Sequence, residues 1–309
     1  MKSKMINQCH IEGKIYESKL ELKESGPNSK HPGTQFISGN LDIATDDDLL
    51  NIVTVHFTYV TEKTAKGNVN STFTVLKNIV DGNVGTVTTV GPEEAGMIQI
   101  DSAIGLNDFY TDRDGVETLV SAKRNEGGFV HLVTSIDDDE KRRNTFKCDI
   151  VITNVRDVEA DEERGLPAKA IIKGAIFDFR KSLLPVEFSA VNPNAIDYFQ
   201  SLEASPSNPV FTSIWGRQIS ETVVKKIVTE SAFGEDEVRE VKNTHKDWVV
   251  TGAAREEYLW DSEDTITADE LRDAMKEREL YLSEVKQRSD EYKASKNSNS
   301  GVKEAEFKF

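Results

Sequence analysis

Aromatic side chains stand close to basic ones at several places in this chain. Phe57 and Tyr59 precede Lys63 and Lys66, and Phe109 and Tyr110 precede Arg113. Lys123 and Arg124 precede Phe129 and His131, Phe177 and Phe179 precede Arg180 and Lys181, and Trp215 precedes Arg217. A flat ring offers a face on which a nucleobase can stack, worth about 1–3 kcal/mol per base, and a neighbouring cation can meet the phosphate. In extended chain, alternate residues share a face. Phe57 therefore lies with Tyr59, Phe177 with Phe179, and Trp215 with Arg217. Strand aromatics also build cores, so one pair can serve a core and another a groove. Tyr59, Trp215 and Arg217 are the strongest candidates for contact with a strand, and the sequence leaves open whether Trp215 faces groove or core.

Other chemistries find little support. There is no glycine-rich phosphate loop ending in Lys-Ser/Thr and no Gly-x-Ser-x-Gly elbow. The 5 histidines stand singly, and neither cysteine has a Cys-x-x-Cys partner. Asp46-Asp47-Asp48 lacks the pattern of a calcium loop and reads as the polar tip of a turn. A binding protein is expected, with no enzyme activity, no metal and no cofactor. The alternatives are a metal-dependent nucleic-acid enzyme built from scattered carboxylates and a structural or assembly protein of a phage-like particle.

The 309 residues suffice for about two domains. No run approaches the roughly 18 apolar residues of a membrane span, and Met1–Asn7 has no apolar run after its lysines, so neither membrane anchorage nor secretion is expected. Two cysteines at corresponding places read as buried strand residues of a reduced, cytoplasmic protein (the host's cytoplasm if the gene is a phage's). The net charge of -16 argues at first against a nucleic-acid partner. Half of that excess falls after residue 229, however, and phosphate responds to local potential rather than to the sum.

The elements that must position these side chains come twice over in pattern: Gln35–Ile43 and Ala170–Phe179 both read as strands with a glycine in the middle, Gly39 and Gly174, the mark of a bulge or bend. Cys9–Ile15 precedes the first and Cys148–Val155 the second. A strand and a short helix follow each, Asn51–Phe57 with Phe73–Val80, then Leu184–Phe188 with Asn194–Leu202. This order suits a small Greek-key barrel, the OB-fold. The expected fold is mainly β with a C-terminal helical region, and two tandem OB-fold-like Greek-key barrels. Residues 1–136 form the first, with extra strands at Gly85–Val90 and a hairpin at Gly127–Val133. Residues 137–144 are a charged linker, and 145–229 form the second unit. Residues 230–294 are acidic and partly helical. A capping box at Thr267–Glu270 opens a helix whose apolar positions are Leu271, Met275, Leu282, Val285 and Tyr292, interrupted by Arg278. Residues 295–309 read as a flexible tail.

The tandem bent-strand units, with Ile11-Glu12-Gly13-Lys14-Ile15 and Phe36-Ile37-Ser38-Gly39-Asn40-Leu41, resemble single-stranded DNA-binding proteins encoded by tailed bacteriophages. The ending Glu304-Ala305-Glu306-Phe307-Lys308-Phe309 is similar to the acidic tails with a terminal aromatic in several such families, although Lys308 departs from the usual run of acids. The resemblance implies a non-enzymatic protein that coats single-stranded DNA during replication or recombination. It further implies that Phe307 and Phe309 dock on replication or recombination proteins. The oligomeric state is not legible.

Overall fold

The computed structural model describes residues 5–161, 166–229, 233, 237–259 and 266–299. They form a mainly β protein with a C-terminal helix. The first set of strands is β1 (Asn7–Glu24), β2 (Gln35–Ala44), β3 (Ile52–Thr61), β4 (Met97–Arg113) and β5 (Val116–Val133). β1 pairs antiparallel with both β2 and β4, β2 with β3, and β4 with β5, while β3 meets β5 in parallel. The pairing therefore returns to its starting strand in the order 1-2-3-5-4. The second set repeats it: β6 (Asn144–Val158), β7 (Lys169–Phe177), β8 (Leu183–Ala190), β9 (Val210–Thr229) and β10 (Glu237–Ala253) pair in the circuit 6-7-8-10-9. A helix lies between the third and fourth strand of each set, α1 (Ser71–Val80) in the first and α3 (Pro193–Ser201) in the second.

Alternation in the strands decides which side is core. In β1, Cys9, Ile11, Gly13 and Ile15 are buried, and His10, Glu12 and Lys14 between them are partly open. Ile11 and Ile15 meet Ile37, Leu41, Val55, Phe57 and Ile100, and α1 closes this core with Phe73, Leu76 and Ile79, whereas Cys9 joins the second core. A second core gathers Cys148, Ile150, Ile172, Phe188 and Ile214 beneath Phe199 of α3. The two glycines that announced the repeat occupy matching positions, Gly39 opposite Leu20 of β1 and Gly174 opposite Ile152 of β6. A Cβ would lie 2.1 Å from the Lys19 carbonyl oxygen at Gly39 and 2.4 Å from that of Val151 at Gly174. In each set the strands approach too closely there for any side chain.

The two sets share a hydrogen-bonded seam, β1 running antiparallel to β6 from Asn7↔Cys148 to Ile11↔Asn144. Beside it a buried amide cluster joins them. Asn125 and Gln218 exchange two hydrogen bonds of 2.8 Å, and Asn144 donates to the Gln218 carbonyl at 2.6 Å. Each of these bonds satisfies polar groups that would be costly to bury alone.

Several local expectations are corrected. The strand expected at Gly85–Val90 is a helical turn, α2 (Val87–Val90), opened by a Thr86–Thr89 capping box. The hairpin expected near Gly127 is a bulge inside β5: Gly127 and Gly128 have φ of 45° and 128°, and β5 continues to pair with β4 on both sides. β10 lies in the stretch read as acidic and partly helical, yet it pairs with β9 along its whole length and touches β8. The C-terminal helix α4 (Ala268–Asn299) starts at the expected capping box, where Thr267 N–H donates to Glu270 Oε2 (3.0 Å) and Glu270 N–H to Thr267 Oγ1 (3.2 Å). Its inward stripe matches the expected one at Leu271 and Val285 and differs elsewhere: Ala274 is buried, Arg278 points inward, and Met275 and Tyr292 are exposed. The first turns of α4 pack with Phe177, Leu183 and Phe211 of the second set. Farther along, Arg278 binds Asp108 of β4 through both terminal nitrogens (2.8 and 2.5 Å), and Lys286 and Lys293 both reach Glu117 of β5. α4 thus ties the two sets together. Among the described residues no helix is long and apolar enough to cross a membrane.

Candidate nucleic-acid interface

A groove of about 820 Å³ runs beside the seam, walled by β1, β4 and β5 on one side and by β6, β9 and β10 on the other. Trp215 and Arg217 line it together, as their shared strand face requires. The indole lies against Gly252 of β10, where an added Cβ would come within 2.3 Å of Nε1. The absence of a side chain at Gly252 is what gives the ring its place, and Trp215 keeps 40% of its surface exposed. Lys147 sits opposite Trp215 on β6, with Nζ 6.0 Å from the ring centroid. Across the seam Phe129 is 71% exposed on β5. Lys141 lines the same groove from the connection between the two sets.

An ionic triad stands at the wall of the groove, and two of its members, His10 and Asp101, line it. His10 of β1 contacts Asp101 Oδ1 through Nδ1 (2.8 Å) and Glu12 Oε1 through Nε2 (2.7 Å). Burial alone would push the imidazole pKa down, but the two carboxylates outweigh burial and raise it. Glu12 is itself held by the Asp137 N–H at 2.9 Å.

The remaining predicted residues are dispersed. Tyr59 is exposed at the far end of β3, its ring 4.5 Å from Phe36 and its hydroxyl 3.2 Å from Ser25 Oγ. Lys63 and Lys66 are exposed in the loop that follows, so this patch has both rings and cations but lies outside the groove. Tyr110 is overlain by α4, with Lys286 Nζ 5.1 Å from its ring, and Arg113 ends β4 opposite Val116. Phe179 is 87% exposed on the β7–β8 turn, with the Arg180 guanidinium 5.1 Å from its ring and Lys181 at φ 68°.

Phe177 is a correction. Strand alternation pairs it with Phe179, but Phe179 lies past the end of β7, where the chain turns, and Phe177 is fully buried with Val151, Leu183 and Phe211. Its ring has no free face. Lys123 is another. It lines a separate cleft of about 630 Å³ between the two sets, with Nζ 4.2 Å from the Phe188 ring and 5.0 Å from that of Trp248. It donates to the Glu187 carbonyl, and burial lowers its pKa to about 8. Arg124 lines that cleft too and is paired with Glu126 (2.5 Å). Phe307 and Phe309 lie outside the described residues.

Sequence reasoning missed Lys141, Lys147, His10, Phe36 and Gly252. Lys141 was hidden in a charge run that reads as a solvated loop. Lys147 joins Trp215 only through strand register. Phe36 carried a usable signal, an exposed-side aromatic one strand away from Tyr59. Both cysteines are buried and free, and burial pushes both thiols up. Among the described residues, no three or more His, Cys, Asp or Glu side chains gather as a metal site.

The structure therefore defines a mainly β protein in which two like sets of strands flank a groove lined by aromatic and basic side chains. The chain belongs to the YorF family, whose model matches residues 5–288. Among solved structures it is similar to the wild-type single-stranded DNA binding protein from Thermus aquaticus, at 9% identity and a TM-score of 0.45, over 82% of this chain and 94% of that one. A deletion mutant of the Thermus aquaticus protein aligns with the same identity and TM-score over 84% of this chain and 99% of that one. A search of the curated proteins finds no match.

Proposed function

We propose that this protein binds single-stranded DNA with little sequence preference, stacking bases on Trp215 and Phe129 and meeting phosphates with Lys141, Lys147 and Arg217. The observation that carries this reading is the presence of two exposed rings and three cations in one groove. Every base has a stackable face, so such a platform is tolerant of sequence. A duplex keeps its bases stacked on one another and out of reach.

We read each closed circuit as an OB-type Greek-key barrel. Three features support this: the order 1-2-3-5-4 with a parallel pair between its third and fifth strands, the helix between third and fourth strands, and the mid-strand glycine of the second strand pressed against the first. Ligand contact in such barrels concentrates on strands 2 and 3 and their adjoining loops. Phe36, Tyr59, Lys63 and Lys66 occupy that region of the first set and extend the proposed path, while Phe179, Arg180 and Lys181 offer an outlying contact. The protein is on this reading a non-catalytic coat for strands exposed in replication or recombination.

The test is titration of a labelled oligothymidine and a duplex of equal length at two salt concentrations. Tighter binding of the single strand is expected. Three phosphate contacts predict a log–log salt slope of about -2. Equal affinity for the two nucleic acids, or binding indifferent to salt, refutes the proposal.

A further inference from the structure

The triad in the groove has an electrostatic consequence, which rests on the reading of the groove as a strand-binding site. Both imidazole nitrogens of His10 contact carboxylate oxygens, at 2.8 and 2.7 Å. A neutral imidazole donates from one nitrogen only and would set a lone pair against the other carboxylate, whereas the imidazolium donates from both. The geometry is that of a charged histidine. Its neighbours come from every wall. Glu12 shares its strand, and Asp101 faces it from β4 with Phe129 directly opposite on β5. Lys141 and Asp137 come from the connecting loop, Lys147 from β6 opposite Gln8, and Arg217 from β9 opposite Thr145. The side chain of Asp137 turns away to the Asp139 N–H and toward Arg142.

We propose that His10 regulates the groove, keeping Asp101 and Glu12 neutralised enough for a polyanion to enter while it is protonated and leaving the charge of both carboxylates unbalanced, Asp101 in the groove and Glu12 in its wall, when it is not. Taking His10, Glu12, Asp101, Lys141, Lys147 and Arg217 together, loss of the proton lowers the local charge from about +2 to about +1. Strand affinity is therefore full below the titration of His10 and falls as pH rises through it. That midpoint lies above the ordinary histidine value, because the carboxylates raise it. By linkage, a bound strand adds phosphate charge nearby, favours the imidazolium further, and draws in a proton where His10 is partly neutral.

The experiment uses the full chain and a labelled oligothymidine at low salt, titrated from pH ~5.5 to ~9 across the histidine range. Wild-type affinity is expected to fall about three- to tenfold, the effect of one charge several ångströms from the phosphates in partly screened surroundings. His10→Gln, which can hydrogen-bond to a carboxylate without ever charging, should flatten the curve near the high-pH affinity of the wild type. Asp101→Asn removes one of the carboxylates. It should raise affinity at high pH and move the midpoint down. The nitrogen resonances of His10 in the free protein report its charge without any DNA. A midpoint at or below the ordinary histidine value overturns the proposal, as does a pH profile that survives unchanged in His10→Gln. Failure to bind the oligonucleotide at any pH is a distinct outcome, and it overturns the strand-binding reading together with the regulation built on it.

Discussion

Replacing Arg278 by Met should loosen the C-terminal helix more than any other single change on it. The guanidinium and the Asp108 carboxylate are 9% and 1% exposed, and two parallel hydrogen bonds of 2.8 and 2.5 Å join them. Among the described residues Asp108 has one further partner, the Ser121 hydroxyl at 2.6 Å. Met fills much of the volume of the arginine stem but leaves a buried carboxylate with a single donor. Breaking a buried pair in this way costs about 3–5 kcal/mol. The other ionic ties of α4, from Lys286 and Lys293 to Glu117, are more exposed and are worth about 0–1 kcal/mol each. Urea unfolding combined with backbone amide exchange measures both parts of the expectation. Protection along α4 should fall by most of that free energy, while protection in β1 and β6 holds if the helix undocks by itself. The double variant Asp108→Leu/Arg278→Met should recover most of the loss, because an apolar pair of similar volume replaces an ion pair at little net cost. A loss under ~1 kcal/mol for Arg278→Met, or a double variant no more stable than the single one, refutes the account of the clamp.

Three other outcomes follow from the geometry. Phe177→Ala should cost about 3–5 kcal/mol of stability by urea titration and leave oligonucleotide affinity per folded molecule unchanged, whereas Phe179→Ala should alter stability by less than about 0.5 kcal/mol. Gly252→Ala forces a methyl against the Trp215 indole, so tryptophan emission should shift and strand affinity should drop toward that of Trp215→Ala, a loss of about 1–3 kcal/mol. Lys123 is held below its ordinary pKa of 10.5, at about 8, so the unfolded chain binds its proton more readily than the folded one. Stability should therefore rise with pH between those two values. Lys123→Met should abolish that rise and stabilise the protein at neutral pH, and a variant whose stability–pH curve parallels the wild type would contradict this.

Some of the expected juxtapositions hold in three dimensions because local geometry decides them. Trp215 and Arg217 stand two apart in an uninterrupted strand, so a shared face follows from the backbone, and the groove contains both. Phe177 and Phe179 have the same spacing, but the strand ends between them. Strand ends depend on what the neighbouring chain covers, and alternation carries no such information. Arg278 is a similar case. On a helix read by itself it interrupts an apolar stripe. Its partner Asp108 lies 170 positions earlier, and only their meeting turns the interruption into an anchor.

By itself the sequence determined the strand-rich character, the matched mid-strand glycines Gly39 and Gly174, and the start of α4 at its capping box. These rest on interactions between near neighbours: side-chain alternation, the missing Cβ, and a hydroxyl and a carboxylate three residues apart. The tertiary structure alone decided that β10 completes the second circuit, that Lys147 faces Trp215 across a register, and that Phe129 reaches the same groove from the other set of strands. It also decided that Lys123 sits over Phe188 and Trp248, in a cleft apart from the groove. Each of these depends on which distant strands pair and in what register. That choice is made by the fit of whole buried faces, a property no local pattern contains.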